Sequence, residues 1–275
     1  MDKPQQWLRI FILLSVLAFI CGFTLLSTGK AIAQTIVGST TSATGSGSTT
    51  LSFSHTPGAG GNKLLLVAVG VGSTVATFPV GDDPTPPAIT SVTYNGVPMS
   101  LVKATIGYET RSNLYSLLNP PAGPANVVIT AASSQIANGT PARINGSATT
   151  FINVNQTTPL GTPVSVESSA NSGTLDLIVS PTSINDVVFS TMTVDEGGSI
   201  PTIAIANGQT ALSNQNGSAT YTATHSASSY KPGTGSSVTS TYTFTSQDHS
   251  GIAVLVRGIA CTSPNCGTVT LVKNP

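Results

Sequence analysis

Residues 89–121, ITSVTYNGVPMSLVKATIGYETRSNLYSLLNPP, restrict what this chain can fold into more than any other stretch. Val92, Tyr94 and Val97 flank Asn95-Gly96, the dipeptide that supplies positive φ at both central positions of a type I′ turn. The twist of that turn matches the twist of the strands it joins, so the segment predicts a β-hairpin returning through Leu101-Val102. Residues 113–118 predict a further strand, ended by Asn119-Pro120-Pro121, since proline cannot donate to a ladder. Nothing in this stretch has catalytic character.

The same punctuation recurs along the chain. Leu51 and Phe53 alternate with Ser52 and Ser54, which predicts an edge strand with one buried face. Residues 63–71, KLLLVAVGV, form an apolar run after Lys63, rich in β-branched valine and too short for most helices, which predicts a strand covered on both faces or nearly so. Strands are also expected at 125–132, 147–154, 164–168, 174–179, 186–193, 219–224, 238–244 and 251–257. The segment 195–217 reads as loop with a weak strand at 202–206. About a dozen short strands with no amphipathic helix between them predict an all-β fold, a two-sheet antiparallel β-sandwich of jelly-roll type.

The N-terminus supplies an address. Lys3 and Arg9 precede an apolar run over residues 10–26, and Ala31-Ile32-Ala33 gives the small-x-small pattern of a signal-peptidase site. A retained membrane anchor is the competing reading, because the run approaches the ~20 residues that span a bilayer. The cleavage pattern favours a signal peptide over residues 1–33, a signal helix, with membrane contact only before its removal and the product secreted to the cell surface. Of the 275 residues, removing 33 leaves 242, within the range of one large β domain. Charged residues are 7% of the chain, against about 25% in ordinary soluble proteins, so hydroxyls and amides keep the surface wet. No basic stripe exists, which excludes nucleic acid as a partner class. The expected organisation is a polar lead or donor strand at 34–50, a sandwich at 51–260, and a tail at 261–275.

The segments SFSHTPGAGGNKLLLVAVGV, ITSVTYNGVPMSLV, NLYSLLNPPAG with ANVVIT, NVNQTTPLGTPV and SGIAVLVRGI together resemble a β-sandwich module of secreted and surface-exposed bacterial proteins. Such modules are jelly-roll-like, overlap in shape with concanavalin-type lectin domains, and sit in adhesin-like polypeptides. The resemblance spans residues 51–259 and implies a fold and a setting, with no catalytic or ligand residue to carry over. The tail GTVTLVKNP is similar to the opening strand of prealbumin-like modules; an extra edge strand and a strand donated to another subunit are the other readings.

Few residues carry chemistry. Cys261 and Cys266, the pair left once Cys21 is removed with the signal segment, are expected to close a small disulfide loop in an exported chain. Asp82 and Asp83 are the candidate Ca²⁺ ligands, although neither EF-hand nor glycine-rich repeat spacing surrounds them, and a solvated turn is the alternative. No other cofactor is expected. The acids Glu109, Glu167, Asp176, Asp186, Asp195, Glu196 and Asp248 fall beside turns without the spacing of a glycosidase pair. Asp248-His249-Ser250 has triad residue types, but neighbours on a strand point to opposite faces. The sequence therefore predicts no enzyme. It leaves two roles: a structural or adhesive surface protein, and a carbohydrate-binding module using exposed tyrosines. In the first, the chain associates with copies of itself or with other cell-surface proteins, as filaments joined by terminal strand exchange. Leu51 and Phe53, and Val269 and Leu271, mark the assembly strands of that reading.

Overall fold

The computed structural model describes residues 35–36, 38–46, 48–72, 86–107, 110–132, 143–195, 202–215 and 224–259, all within the unit Ile32–Ala260. These residues form no helix. Their strands are β1 (Thr35–Ile36), β2 (Thr41–Gly45), β3 (Thr50–His55), β4 (Leu64–Gly72), β5 (Ile89–Tyr94), β6 (Val97–Pro98), β7 (Ser100–Ile106) and β8 (Thr110–Leu118). There follow β9 (Ala125–Ala131), β10 (Arg143–Ile152), β11 (Val164–Val179), β12 (Val187–Asp195), β13 (Ala204–Ile205), β14 (Thr210–Gln215), β15 (Thr224–Pro232) and β16 (Val238–Val256). Every pairing among them is antiparallel, and the fold is an all-β sandwich.

The Asn95-Gly96 turn forms as its residues require, with φ of 50° at Asn95 and 74° at Gly96, and Met99 N–H closes the hairpin on Val92 C=O at 2.9 Å. Around it the chain builds three sheets. The central one runs β1–β10–β4–β8–β7, with β2 beside β10 on the same side as β1. One outer sheet runs β3–β9–β5–β6 and the other β14–β15–β12–β16–β11, with β13 on β16.

The apolar run of β4 is what demands three layers. Every residue from Leu64 to Gly72 is buried. Leu65, Val67, Val69 and Val71 pack with Val92, Tyr94, Val127 and Ile129 of the first outer sheet. Leu64, Leu66 and Ala68, on the opposite face, pack with Phe189, Ile252, Val254 and Val256 of the second. A third core forms because β11 and β16 are long and bend. Register shifts between Ser168 and Thr174 break their pairing into two stretches. The far stretch brings Leu175, Leu177, Tyr242 and Phe244 against Val188, Met192, Val194 and Ala227, on the side of β12 turned away from the central sheet.

The interface between the central and second outer sheets changes character along its length. Beyond Ala68 the apolar side chains give way to hydroxyls: Ser112 Oγ donates to Thr193 Oγ1 at 2.9 Å and lies 3.0 Å from Ser250 Oγ. Asn145 Nδ2 donates to Thr224 C=O at 2.8 Å and to Ser226 Oγ at 3.2 Å. Glycine lets the sheets approach there. A Cβ on Gly70 would lie 2.0 Å from Ser226 Oγ, and one on Gly72 1.6 Å from Thr224 Oγ1. Buried hydroxyls paired with one another replace side-chain volume at this end.

The lead expected to be a spacer or a donor strand is placed by the structure at the edge of the central sheet. Thr35 and Ile36 pair with Ile152 and Phe151, and Thr41–Gly45 pairs with residues 144–148, all within one chain.

Candidate functional site

Several expected site residues lie outside the described residues: Asp82 and Asp83, Cys261 and Cys266, and Val269 and Leu271. So do Tyr108, Glu109, Glu196 and Tyr221. Three of the described acids have hydrogen-bonding partners within the fold: Glu167, Asp176 and Asp186. Glu167 accepts from Thr105 Oγ1 at 2.8 Å and from Ile106 N–H at 3.3 Å. Asp176 accepts from Thr241 Oγ1 at 2.6 Å, while Asp186 accepts from Ser183 N–H at 3.0 Å and Gly258 N–H at 3.3 Å. His249 and Ser250 do point apart: the imidazole stands edge-on to Phe244 with ring centres 4.9 Å apart, and Ser250 Oγ faces Thr110 and Ser112 across the sheet interface. Among the described residues no three of His, Cys, Asp and Glu converge as metal ligands.

The aromatic side chains are spent on packing. Tyr94, Tyr115 and Tyr242 are buried, and Tyr230 is half-buried against the core around Phe189. Burial pushes the Tyr242 phenol up to about 12, while hydrogen bonds from Ser190 and Ser229 pull the other way. None of these four offers an exposed ring face for a sugar. Among the described residues two asparagines stand in the Asn-x-Ser/Thr pattern of glycosylation sites, in Asn145-Gly146-Ser147 and Asn155-Gln156-Thr157: Asn145 is buried with its amide committed, and Asn155 Oδ1 caps its own turn by accepting from Thr157 and Thr158 N–H.

What the fold does assemble is a set of edges. Each sheet ends in a strand paired on one side, and on one flank these ends are β3, β2 and β14. They sit side by side, β2 packing against both β3 and β14. None of Thr50–His55, Thr41–Gly45 or Thr210–Gln215 contains a charged residue or a proline. The other flank is guarded. There β7 carries Lys103 and a bulge between Leu101 and Lys103, and the Glu167 carboxylate of β11 covers the Ile106 amide.

The β3 strand shows its geometry in most detail. Ala131 N–H donates to Thr49 C=O at 2.8 Å, and the register Thr50↔Thr130 then fixes the hydrogen-bonding phase. Residues 49, 51, 53 and 55 face β9, so the main-chain groups of Thr50, Ser52 and Ser54 point away from the sheet. The Thr50 amide is held by Ser48 Oγ at 3.0 Å, so among the described residues the open groups are centred on Ser52 and Ser54. Leu51 and Phe53, expected as assembly side chains, instead face the chain's own first core, where both approach Gly146. The alternation signalled the strand, but the outward positions are the serines.

His55 ties this flank together. Its Nδ1 lies 2.9 Å from Thr41 Oγ1 of β2 and its Nε2 lies 2.8 Å from Thr150 Oγ1 of β10. Tyr94 stands edge-on to the ring and donates its hydroxyl to the His55 carbonyl at 3.3 Å. Burial among hydroxyl and aromatic groups lowers the imidazole from 6.5 to about 4. No protein-family model matches the chain, and no curated protein matches it in sequence.

Proposed function

We propose that this chain is a non-enzymatic structural or adhesive protein of the cell exterior, working by edge-to-edge association with copies of itself or with other surface proteins. The observation that carries the reading is the flank on which β3, β2 and β14, all uncharged and free of proline, present their unpaired sides together. Open strand edges template further strands unless charge, proline or bulges blunt them. The opposite flank has such devices, while among the described residues of this flank β14 alone has one, a register shift between Ala211 and Ser213. The signal-type N-terminus and the resemblance to bacterial surface modules support an extracellular setting. The burial of the described tyrosines speaks against the glycan-binding alternative.

The test is sedimentation of the purified protein over a range of concentrations, beside a glycan array. Concentration-dependent assemblies without glycan retention are the expected result. A protein that stays monomeric at high concentration yet is retained by glycans overturns the proposal in favour of the lectin-like role.

A further inference from the structure

We infer that the partner at this flank is a second copy of the chain, docked through β3 about a two-fold axis at Ser52. The inference rests on the association reading above and names the occupant of its edge. An isologous contact requires a surface complementary to itself, so each element must accept its own image. In an antiparallel pairing centred on Ser52, residue 50 faces residue 54 of the partner and residue 52 faces its own counterpart. The outward main-chain groups belong to Thr50, Ser52 and Ser54, so the phase set by β9 is the phase this register needs. Ser52 N–H and C=O exchange bonds with the other Ser52, and Ser54 N–H donates to the Thr50 C=O of the other copy. The Thr50 amide keeps its Ser48 hydroxyl, so no existing bond is broken.

The side chains agree with that register. Thr50, Ser52 and Ser54 are exposed, small and uncharged, so hydroxyl meets hydroxyl across the axis with no like charges opposed. The β3 register is unbroken over its six residues, so no bulge interrupts the edge along its length. Joining two β3 strands would turn two four-stranded sheets into one continuous sheet across the dimer. The open edge would then be removed by closure, as in symmetric oligomers. Edges β7 and β11 offer no such match: β7 places Lys103 within the strand, and β11 breaks its register between Ser168 and Thr174.

Three variants of the full chain test the register. Ser52→Lys places two ammonium groups on the axis, and Ser52→Pro removes the central donor while leaving every bond to β9 in place. Thr174→Lys, on an exposed position of the far flank, is the control. Light scattering after size exclusion should give twice the chain mass for the unmodified protein and for Thr174→Lys, and the single-chain mass for both Ser52 variants. Unchanged far-ultraviolet dichroism and melting would show that all three fold. In a second arm, Ser52→Cys should form a symmetric disulfide on mild oxidation, because facing residues of a hydrogen-bonded pair lie about 5.5 Å apart at Cα, within the span a disulfide bridges. Thr174→Cys should not. If the protein assembles but the Ser52 variants assemble equally and Ser52→Cys fails to cross-link, this register is wrong while association itself stands. If the unmodified protein is monomeric throughout, both readings fall.

Discussion

Acidification should loosen the corner where β2 meets β3, because His55 is buried there and no charge among the described residues offsets a proton on its ring. Its imidazole is lowered from 6.5 to about 4 by burial, and the group packed against it, Tyr94, is neutral over the same range. In the unfolded chain the ring takes a proton at its ordinary value, whereas in the folded chain it resists until near 4. Stability from this site is therefore complete above about pH 6.5, declines as the pH falls towards 4, and is level below that. The difference corresponds to at most about 3.4 kcal/mol at 1.36 kcal/mol per pH unit. The ring is 1% exposed, but its hydroxyl neighbours partly solvate a charge, so a loss of about 2 kcal/mol is the working figure. Other groups titrate too, which makes the informative quantity the difference between the unmodified protein and His55→Gln. At about pH 8 the variant should be less stable by about 1–2 kcal/mol, having lost a ring and a hydrogen bond. Towards pH 4 the gap should close or reverse, since glutamine has no proton to resist. Urea unfolding at a series of pH values measures this. A gap constant from neutral to acid pH would refute the idea that His55 stays neutral in the fold.

Three other outcomes follow from the geometry and the sequence. Gly70→Ala should cost at least about 1–3 kcal/mol in urea melts, because its Cβ would overlap Ser226 Oγ and Thr193 Oγ1, whereas Gly61→Ala, with nothing within 4 Å, should be close to neutral. Asn145→Ala should destabilise by about 1–3 kcal/mol by stranding the Thr224 carbonyl, and mass spectrometry of protein from a glycosylating host should find Asn145 unmodified. Cys261 and Cys266, read from spacing alone, should appear as a disulfide in non-reducing mass spectrometry of exported protein, and two free thiols would defeat that expectation.

Much of the architecture was legible because it rests on local chemistry. The hairpin at Asn95-Gly96 follows from positive φ, and the strand character of residues 63–71 follows from a run too short and too branched for a helix. The same run also held the layer count. A strand buried on both faces needs a sheet above and below it, so KLLLVAVGV implies three layers, where counting strands and turns suggests two. Polar strands were harder. β14, TALSNQ, has no apolar alternation, and β15 begins THSASSY, where the buried residues are mostly hydroxyls. β15 buries such residues because glycines at 70 and 72 let the central sheet come close to Thr224 and Ser226, a contact that lies far away in sequence. The separate pieces expected at 164–168 and 174–179, and at 238–244 and 251–257, are joined into β11 and β16, whose pairing passes through a bulge that no local residue signals.

The flank was legible only in part, for a related reason. In a chain with 7% charged residues an uncharged strand is common, so the absence of charge from TLSFSH or TSATG decides little by itself. What matters is which strands end up at which edges, and that is set by the order of strands in three sheets. Lys103 and Glu167 lie on β7 and β11, which close the same side of their sheets, so two of the chain's few charges guard one flank. The strands on the other flank come from residues 41–45, 50–55 and 210–215, and the fold brings these distant segments to one surface. His55 then acts on two levels there. It ends the strand whose outward amides are open, and it fastens that strand to the central sheet through Thr41 of β2 and Thr150 of β10. A partner copy pairing with β3 would meet a flank already stiffened by that clasp, so less ordering entropy opposes docking than for a loose edge. Association through β3 should accordingly weaken when His55 is replaced, even though His55 itself faces inward.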